Sequence, residues 1–350
     1  MKSDKKTTAV IGHFAFGKEC ADGQTVKTKI ITEALCERFG DSEILRFDTE
    51  GGKKTLLKAP FQVLRALKRA KNVTIFPAHN GIRVYVPLLS FFRHFFRGRR
   101  LHYVVIGGWL PSLLQKRKNL AGQLKRFDGI YVETATMKKA LEAQGFANVS
   151  VVPNCKKLRV LSPDELLHPM AEPYPLCTFS RVMKQKGIED AVDAVCAVNK
   201  AVGRTAYSLD IYGKVDPEET AWFEDLKATF PPFVRYRGIV DYNGSVEVLK
   251  AYFALLFPTR FYTEGIPGTV LDAYAAGVPV ISARWESFFD LVKENVTGIG
   301  YGFDQREELE AILSELLEKP ERIDKMRENC LQQAKKYTPE EAIKEISERF

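Results

Sequence analysis

Two cations, two acids and one loop carry the chemistry legible in this 350-residue chain. Arg181 follows the apolar run Leu176–Phe179, and Lys186 stands five positions later, ahead of a helix-period segment. Two cations beside one strand end could neutralise a departing diphosphate without a metal. Further on, residues 258–283 read PTRFYTEGIPGTVLDAYAAGVPVISA: a strand end, an acidic Gly/Pro loop, a short helix, a Gly stop and another apolar strand. Amides of Gly265, Ile266, Pro267's neighbours Gly268 and Thr269, at a helix start, lack intrahelical partners and point their positive end at an anion, which suits a diphosphate. Glu264 and Asp272 lie eight positions apart and could face the same space. Carboxylates repel phosphate, so hydroxyls of a sugar or ribose are their natural partners, and the whole points to a sugar nucleotide. The alternative is a plain βαβ crossover in which Gly277 ends the helix, Val278–Ile281 is a buried strand and Asp272 faces solvent.

The ordered pair of spacings, Arg181-x4-Lys186 and Glu264-x7-Asp272, resembles glycosyltransferase family 4, over roughly residues 174–335 and more weakly before them. The resemblance implies a GT-B fold, transfer with retention, and Arg181, Lys186 and Glu264 as catalytic residues. It implies that Glu264 contacts the donor sugar's hydroxyls and that Asp272 binds the ribose, with one methylene less reach than the family's usual Glu. It also implies front-face transfer, the leaving phosphate helping to deprotonate the acceptor hydroxyl, so that no separate base is needed.

In the first half, His13–Thr28 follows the first strand and precedes a helix, matching in position the family's Gly-rich loop. Gly23 and Gln24 would let the backbone approach a donor, and Asp22 is a helix cap or an acceptor contact. The phosphate-cradling pattern GxxxxGK[ST] is absent. Many relatives carry a His at the end of the fourth strand, where this chain has Gly107, Gly108 and Trp109. Trp109 then forms an acceptor wall or packs. His79, like His13, sits near a strand end, as an acceptor contact or a structural hydrogen-bonding group. Neither a DxD pair nor a spaced His/Cys cluster occurs, so the expectation is a site without metal and no cofactor beyond the nucleotide-diphosphate sugar.

These residues need strands to position them. Apolar runs near residues 8–12, 43–47, 73–77, 102–106, 129–132 and 149–152 alternate with helix-period segments near 25–39, 55–69, 84–97, 110–127 and 136–144. After a proline-rich stretch, Pro153–Pro175, the alternation resumes with strands near 176–179, 208–212, 234–238, 254–258, 278–282 and 298–301 and late helices at 305–318, 320–336 and 339–349. The expected fold is α/β, GT-B: two Rossmann-like doubly wound domains facing across a cleft. Residues 1–160 would bind acceptor and 161–338 the nucleotide sugar, with 339–350 a helix that could cross back to the first domain.

Charge divides the halves more than the net +8 suggests: residues 1–170 hold 30 Lys and Arg against 14 Asp and Glu, while residues 171–350 hold 22 against 30. Without a nucleic-acid module, the basic half points to an anionic membrane surface rather than to nucleic acid. Val84–Arg100, VYVPLLSFFRHFFRGRR, is read as a crossover helix that packs most of its Phe side chains and offers its Arg-rich end to lipid phosphates. Six scattered cysteines and the absence of an apolar leader or spanning run point to the cytoplasm, peripheral on the inner face of the membrane. The reading is a glycosyltransferase moving a sugar from a nucleotide-diphosphate donor to a lipid-linked saccharide in surface polysaccharide or lipopolysaccharide synthesis. Its rivals are a nucleotide-sugar 2-epimerase of the same fold and a degenerate, non-catalytic subunit of a glycan-assembly complex.

Overall fold

A computed structural model of the chain describes residues 5–17, 23–51 and 57–350. Asp22, proposed for the acceptor, lies outside the described residues, as does Cys20. The chain divides into two compact units, Met1–Lys157 with Tyr337–Phe350, and Leu158–Lys336.

The first unit is a six-stranded parallel sheet ordered β2-β1-β3-β4-β5-β6, built from β1 (Lys6–Gly12), β2 (Ile44–Asp48), β3 (Ala70–Ile75), β4 (Arg100–Val104), β5 (Gly129–Val132) and β6 (Val149–Val151). The second is ordered β12-β11-β10-β7-β8-β9, from β7 (Tyr174–Phe179), β8 (Tyr207–Tyr212), β9 (Val234–Gly238), β10 (Ala254–Phe257), β11 (Val280–Ala283) and β12 (Gly298–Tyr301). Every pairing in both sheets is parallel. Burial explains the sequence pattern: β5, β10 and β11, each flanked by strands on both sides, are buried at every position, and of the second sheet's two edges β12 is buried throughout while β9 alternates.

Residues Pro339–Ser347 form a helix started by Pro339, with the Thr338 hydroxyl accepting from the Glu341 amide. Its Ala342, Ile343 and Ile346 join Ile30, Ile31, Ala34 and Leu35 of the helix Gly23–Phe39 in the core of the first unit. Two long helical segments expected from periodicity are broken. Residues 110–127 split at Arg117 (φ −129°, ψ 67°) into Leu110–Lys116 and Lys118–Leu124, and residues 320–336 split into Glu321–Asp324 and Arg327–Ala334. The helix expected at 84–97 ends at Phe92 and passes into a 3-10 turn, Arg93–Phe95. Phe92 and Phe96 pack partly on the core, but Phe91 and Phe95 are 60% and 70% exposed. No helix among the described residues is long and apolar enough to cross a membrane.

Candidate active site

In the second sheet the strand order reverses between β7 and β10, which are paired through Leu176 with Ala254 and Cys177 with Leu255. The chain leaves β7 toward β8 on one side and β10 toward β11 on the other, so the loops after these two strands diverge and leave a crevice at their carboxyl ends. Arg181 and Lys186 follow β7; Glu264 and the helix Gly268–Ala275 follow β10. Topology alone therefore brings the two motifs to one edge.

The two loops are then tied together. The Arg260 amide donates to the Gln185 carbonyl at 2.9 Å, and the Arg260 guanidinium forms a two-pronged pair with Asp190 at 2.8 and 2.6 Å. Gly187, at φ +66°, lies so close to Pro258 that an added Cβ would stand 1.8 Å from the Pro258 carbonyl oxygen. Only glycine allows that backbone and that approach. The turn puts Lys186 against Glu264: its ammonium pairs with the Glu264 carboxylate, both side chains being less than one-fifth exposed, and lies 5.6 and 5.1 Å from the Phe257 and Phe261 ring centres. Buried Thr259, which sequence reasoning missed, donates its hydroxyl to the same Glu264 oxygen at 3.2 Å. The other oxygen, Oε2, has no protein partner among the described residues.

Arg181 stands apart from this pair. Its guanidinium is half-exposed and reaches Asp216, after β8, at 3.5 Å. The loop after β8 turns at Gly213 (φ +133°), where a Cβ would meet the Ser180 carbonyl at 1.8 Å, so this turn too is closed onto the end of β7.

At the start of the helix Gly268–Ala275, Pro267 supplies no side-chain cap, and the first amides bonded back within the turn are those of Val270 and Leu271. The Gly268 and Thr269 amides precede them and lie outside the helical ladder. The Thr269 hydroxyl is buried with no hydrogen-bond partner. Gly265, Ile266 and Pro267 are buried beneath this helix start. Asp272 is 3% exposed, so the solvent-facing alternative does not hold.

The carboxyl edge of the first sheet is closed more tightly. His13, after β1, bonds the Thr25 hydroxyl at 2.6 Å, and the Gln24 side-chain Nε2 donates to the Phe76 carbonyl at 3.4 Å, fixing the helix start at Gly23 over β1 and β3. Asp48 at the end of β2 accepts from the amides of Phe14, Ala15, Phe16 and Glu50. Burial pushes this carboxyl up, but those donors outweigh it and hold it below its ordinary value. Lys27, 1% exposed, pairs with Glu133 at 2.7 Å and donates to the Val105 carbonyl. Neither member was found from sequence, because a lone Lys within a helix reads as a surface cation. His79 and Trp109 are brought together, ring centres 5.2 Å apart, with the Trp109 indole N–H donating to the Ile106 carbonyl.

Two parallel, helix-covered six-stranded sheets in this arrangement define the GT-B fold of glycosyltransferases. Residues 174–319, most of the second unit, match the family model described as glycosyl transferases group 1. Among solved structures, the sucrose-phosphate synthase of Thermosynechococcus elongatus is similar at TM-score 0.78 and 15% identity, with 98% of both chains covered. Anabaena HepE in complex with UDP and glucose is similar at TM-score 0.73 and 14% identity, again over 98% of each chain. The pneumococcal O-GlcNAc transferase GtfA, solved with UDP and GlcNAc, is similar at TM-score 0.61 and 17% identity, over 79% of this chain and 56% of that one. No curated protein matches by sequence.

Proposed function

We propose that this chain is a retaining, metal-independent glycosyltransferase that takes a sugar from a nucleoside-diphosphate donor held by the second unit. The observation that carries the reading is the pairing of Lys186 with Glu264 where the loops after β7 and β10 meet. A lysine ammonium has three N–H donors, so Lys186 can keep Glu264 and still donate to a donor phosphate. Arg181, held only loosely by Asp216, supplies a second cation, and the Gly268 and Thr269 amides a third source of positive potential. Glu264 Oε2 is left to accept from a sugar hydroxyl, and Asp272 serves the ribose.

In the transfer the bond between the anomeric carbon and the phosphate oxygen breaks, leaving its electron pair on the diphosphate. The acceptor oxygen bonds to the same face of that carbon, and its proton passes to the leaving phosphate. Stabilising the developing charge on that phosphate lowers the barrier directly. The acceptor is a lipid-linked saccharide of surface polysaccharide or lipopolysaccharide synthesis, held by the first unit through His79 and Trp109. The basic flank of that unit keeps the protein at the inner face of the membrane.

UDP is the first nucleotide to test, being the one bound in the HepE and GtfA structures. A matching nucleotide or sugar nucleotide raises the unfolding temperature by mass action, and a panel of nucleoside diphosphates and their sugars identifies it. No stabilisation by any member would overturn the reading. NMR of the donor without acceptor should show an unchanged sugar; isomerised sugar would instead make the protein an epimerase.

A further inference from the structure

Between residues 51 and 127 the chain contains 17 Lys and Arg and no Asp or Glu. The fold gathers part of this charge beside the helix Ile82–Phe92, where Arg83 also reaches the His79 ring nitrogen at 3.3 Å. A cavity of about 770 Å³ opens near the amino ends of β4 and β5, where Leu101 and Phe127 form apolar wall and Ser90, Arg93, Arg97 and Arg126 contribute polar groups. A second cavity of about 490 Å³ shares Pro87 and Gln123 with it and is lined by Arg83, Lys116, Arg117 and Lys118. The helix break at Arg117 is what turns those three consecutive cations into its wall.

The cations differ in state. Arg93 is spent internally, on Asp128 at 3.0 Å and on the Arg126 carbonyl at 2.7 Å, and so fixes the loop bearing Arg126. The side chains of Arg97 and Arg126 have no hydrogen-bond or ion-pair partner among the described residues, and neither do those of Lys116, Arg117 and Lys118. The Ser90 hydroxyl is buried without a partner. Unpaired guanidinium groups and an orphaned hydroxyl in one concavity without a carboxylate on its lining are complementary to a phosphate. Phe91 belongs to the same lining, and it stands 60% exposed with its ring 5.8 Å from that of Phe95, itself 70% exposed. An anion site edged by exposed aromatic rings fits an amphiphile rather than a water-soluble anion.

We propose that this double cavity holds the phosphate headgroup of an anionic membrane phospholipid, Arg97 and Arg126 gripping it while Phe91 and Phe95 enter the interface. This rests on the peripheral-membrane part of the reading above and adds a discrete site to it. The test is flotation of the full chain with vesicles of phosphatidylcholine alone and of phosphatidylcholine mixed with phosphatidylglycerol. Binding is expected only to the mixed vesicles. Arg97→Gln/Arg126→Gln should weaken it roughly tenfold or more, while the charge-matched Lys138→Gln/Lys139→Gln, on the helix Ala135–Glu142, changes it less than about threefold. Phe91→Ala/Phe95→Ala should weaken binding at high salt as well as low. Equal losses in the two charge variants, with unfolding midpoints unchanged, would leave membrane binding standing and remove the pocket. Failure of the wild-type protein to float with either vesicle, alongside stabilisation by a nucleotide, would remove both the pocket and the membrane reading while leaving glycosyl transfer intact. Tight binding of a single-stranded oligonucleotide, lost in Arg97→Gln/Arg126→Gln without any vesicle binding, would also overturn it.

Discussion

The carboxyl edges of the two sheets use charge in opposite ways. In the second unit Lys186, Glu264 and Arg181 are tied to the loops after β7, β8 and β10 yet keep donors or lone pairs to spare. In the first unit the edge charges are consumed: Lys27 and Glu133 are 1% and 3% exposed, and the Asp48 carboxylate takes four backbone amides. What that edge presents is ring surface, His79 against Trp109, while unpaired cations are displaced to the helical flank. A half with an excess of Lys and Arg therefore does not have a cationic strand edge. The comparison assigns rigidity to one edge and charge chemistry to the other, and both assignments can be broken.

The largest effect belongs to the buried pair. Lys27→Met removes the ammonium that faces the buried Glu133 carboxylate and should cost about 3–5 kcal/mol of stability, whereas Lys27→Met/Glu133→Leu should recover most of it. Denaturant midpoints of the two variants check this. A single variant as stable as wild type would mean that the edge is not held by this pair.

Next comes His102, at the opposite end of β3, β4 and β5 from that edge. It is fully buried beside the Tyr131 hydroxyl (3.0 Å), Asn72 (3.4 Å) and the ring of Phe350 (5.0 Å). Desolvation pushes its imidazole down to about 4; Arg100, Arg349 and Arg93 act in the same direction and Asp128 against it. The folded value lies below the unfolded one, so the unfolded chain takes up the proton first. Stability is complete above about pH 6.5 and falls as pH drops toward 4, by roughly 3 kcal/mol for this group. In His102→Gln the difference in unfolding midpoint between pH 7.5 and pH 4.5 should shrink accordingly, and an unchanged difference would assign the acid sensitivity elsewhere.

For the second unit, Lys186→Ala and Arg181→Ala should each lower turnover by at least tenfold, about 1.4 kcal/mol in the barrier. Lys186→Ala combined with Glu264→Gln should cost less than the sum of the two single changes, because the residues act as one unit. Strict additivity would show that the pair seen between the β7 and β10 loops plays no joint part in the reaction.

The order and spacing of the motifs were legible because strand, loop and helix alternate cleanly around them, and the ends of β5, β9 and β12 fall where the apolar runs place them. What was not legible depends on contacts distant in sequence. Gly187 reads as an ordinary turn glycine until Pro258, which it abuts, is placed beside it. Lys27 reads as a surface cation until Glu133 arrives from β5. The break at Arg117 has no Pro or Gly beneath it, so helix propensity predicts continuity; packing overrides it, with Leu113 and Leu114 before the break and Leu120 and Leu124 after it buried in one core. The exposure of Phe91 and Phe95 departs from the expectation that a crossover helix packs most of its aromatic rings.

The smallest expected effect tests the ring-bearing edge. Trp109 is partly packed on the core and its indole N–H is committed to Ile106, so only its ring face is left to meet an acceptor. Taking the contribution of an aromatic pair, about 0.5–1.5 kcal/mol, as the scale for a sugar face on the ring gives a change of about two- to tenfold in affinity. Trp109→Leu should therefore raise the acceptor KM by a few-fold and leave the donor KM unchanged, while Trp109→Phe, which keeps a ring without the N–H, should restore most of the affinity. If both variants lower turnover alike without moving the acceptor KM, Trp109 serves the packing of β4 and the helix Leu110–Lys116 rather than the acceptor. The first unit's contribution would then lie wholly in its cationic flank.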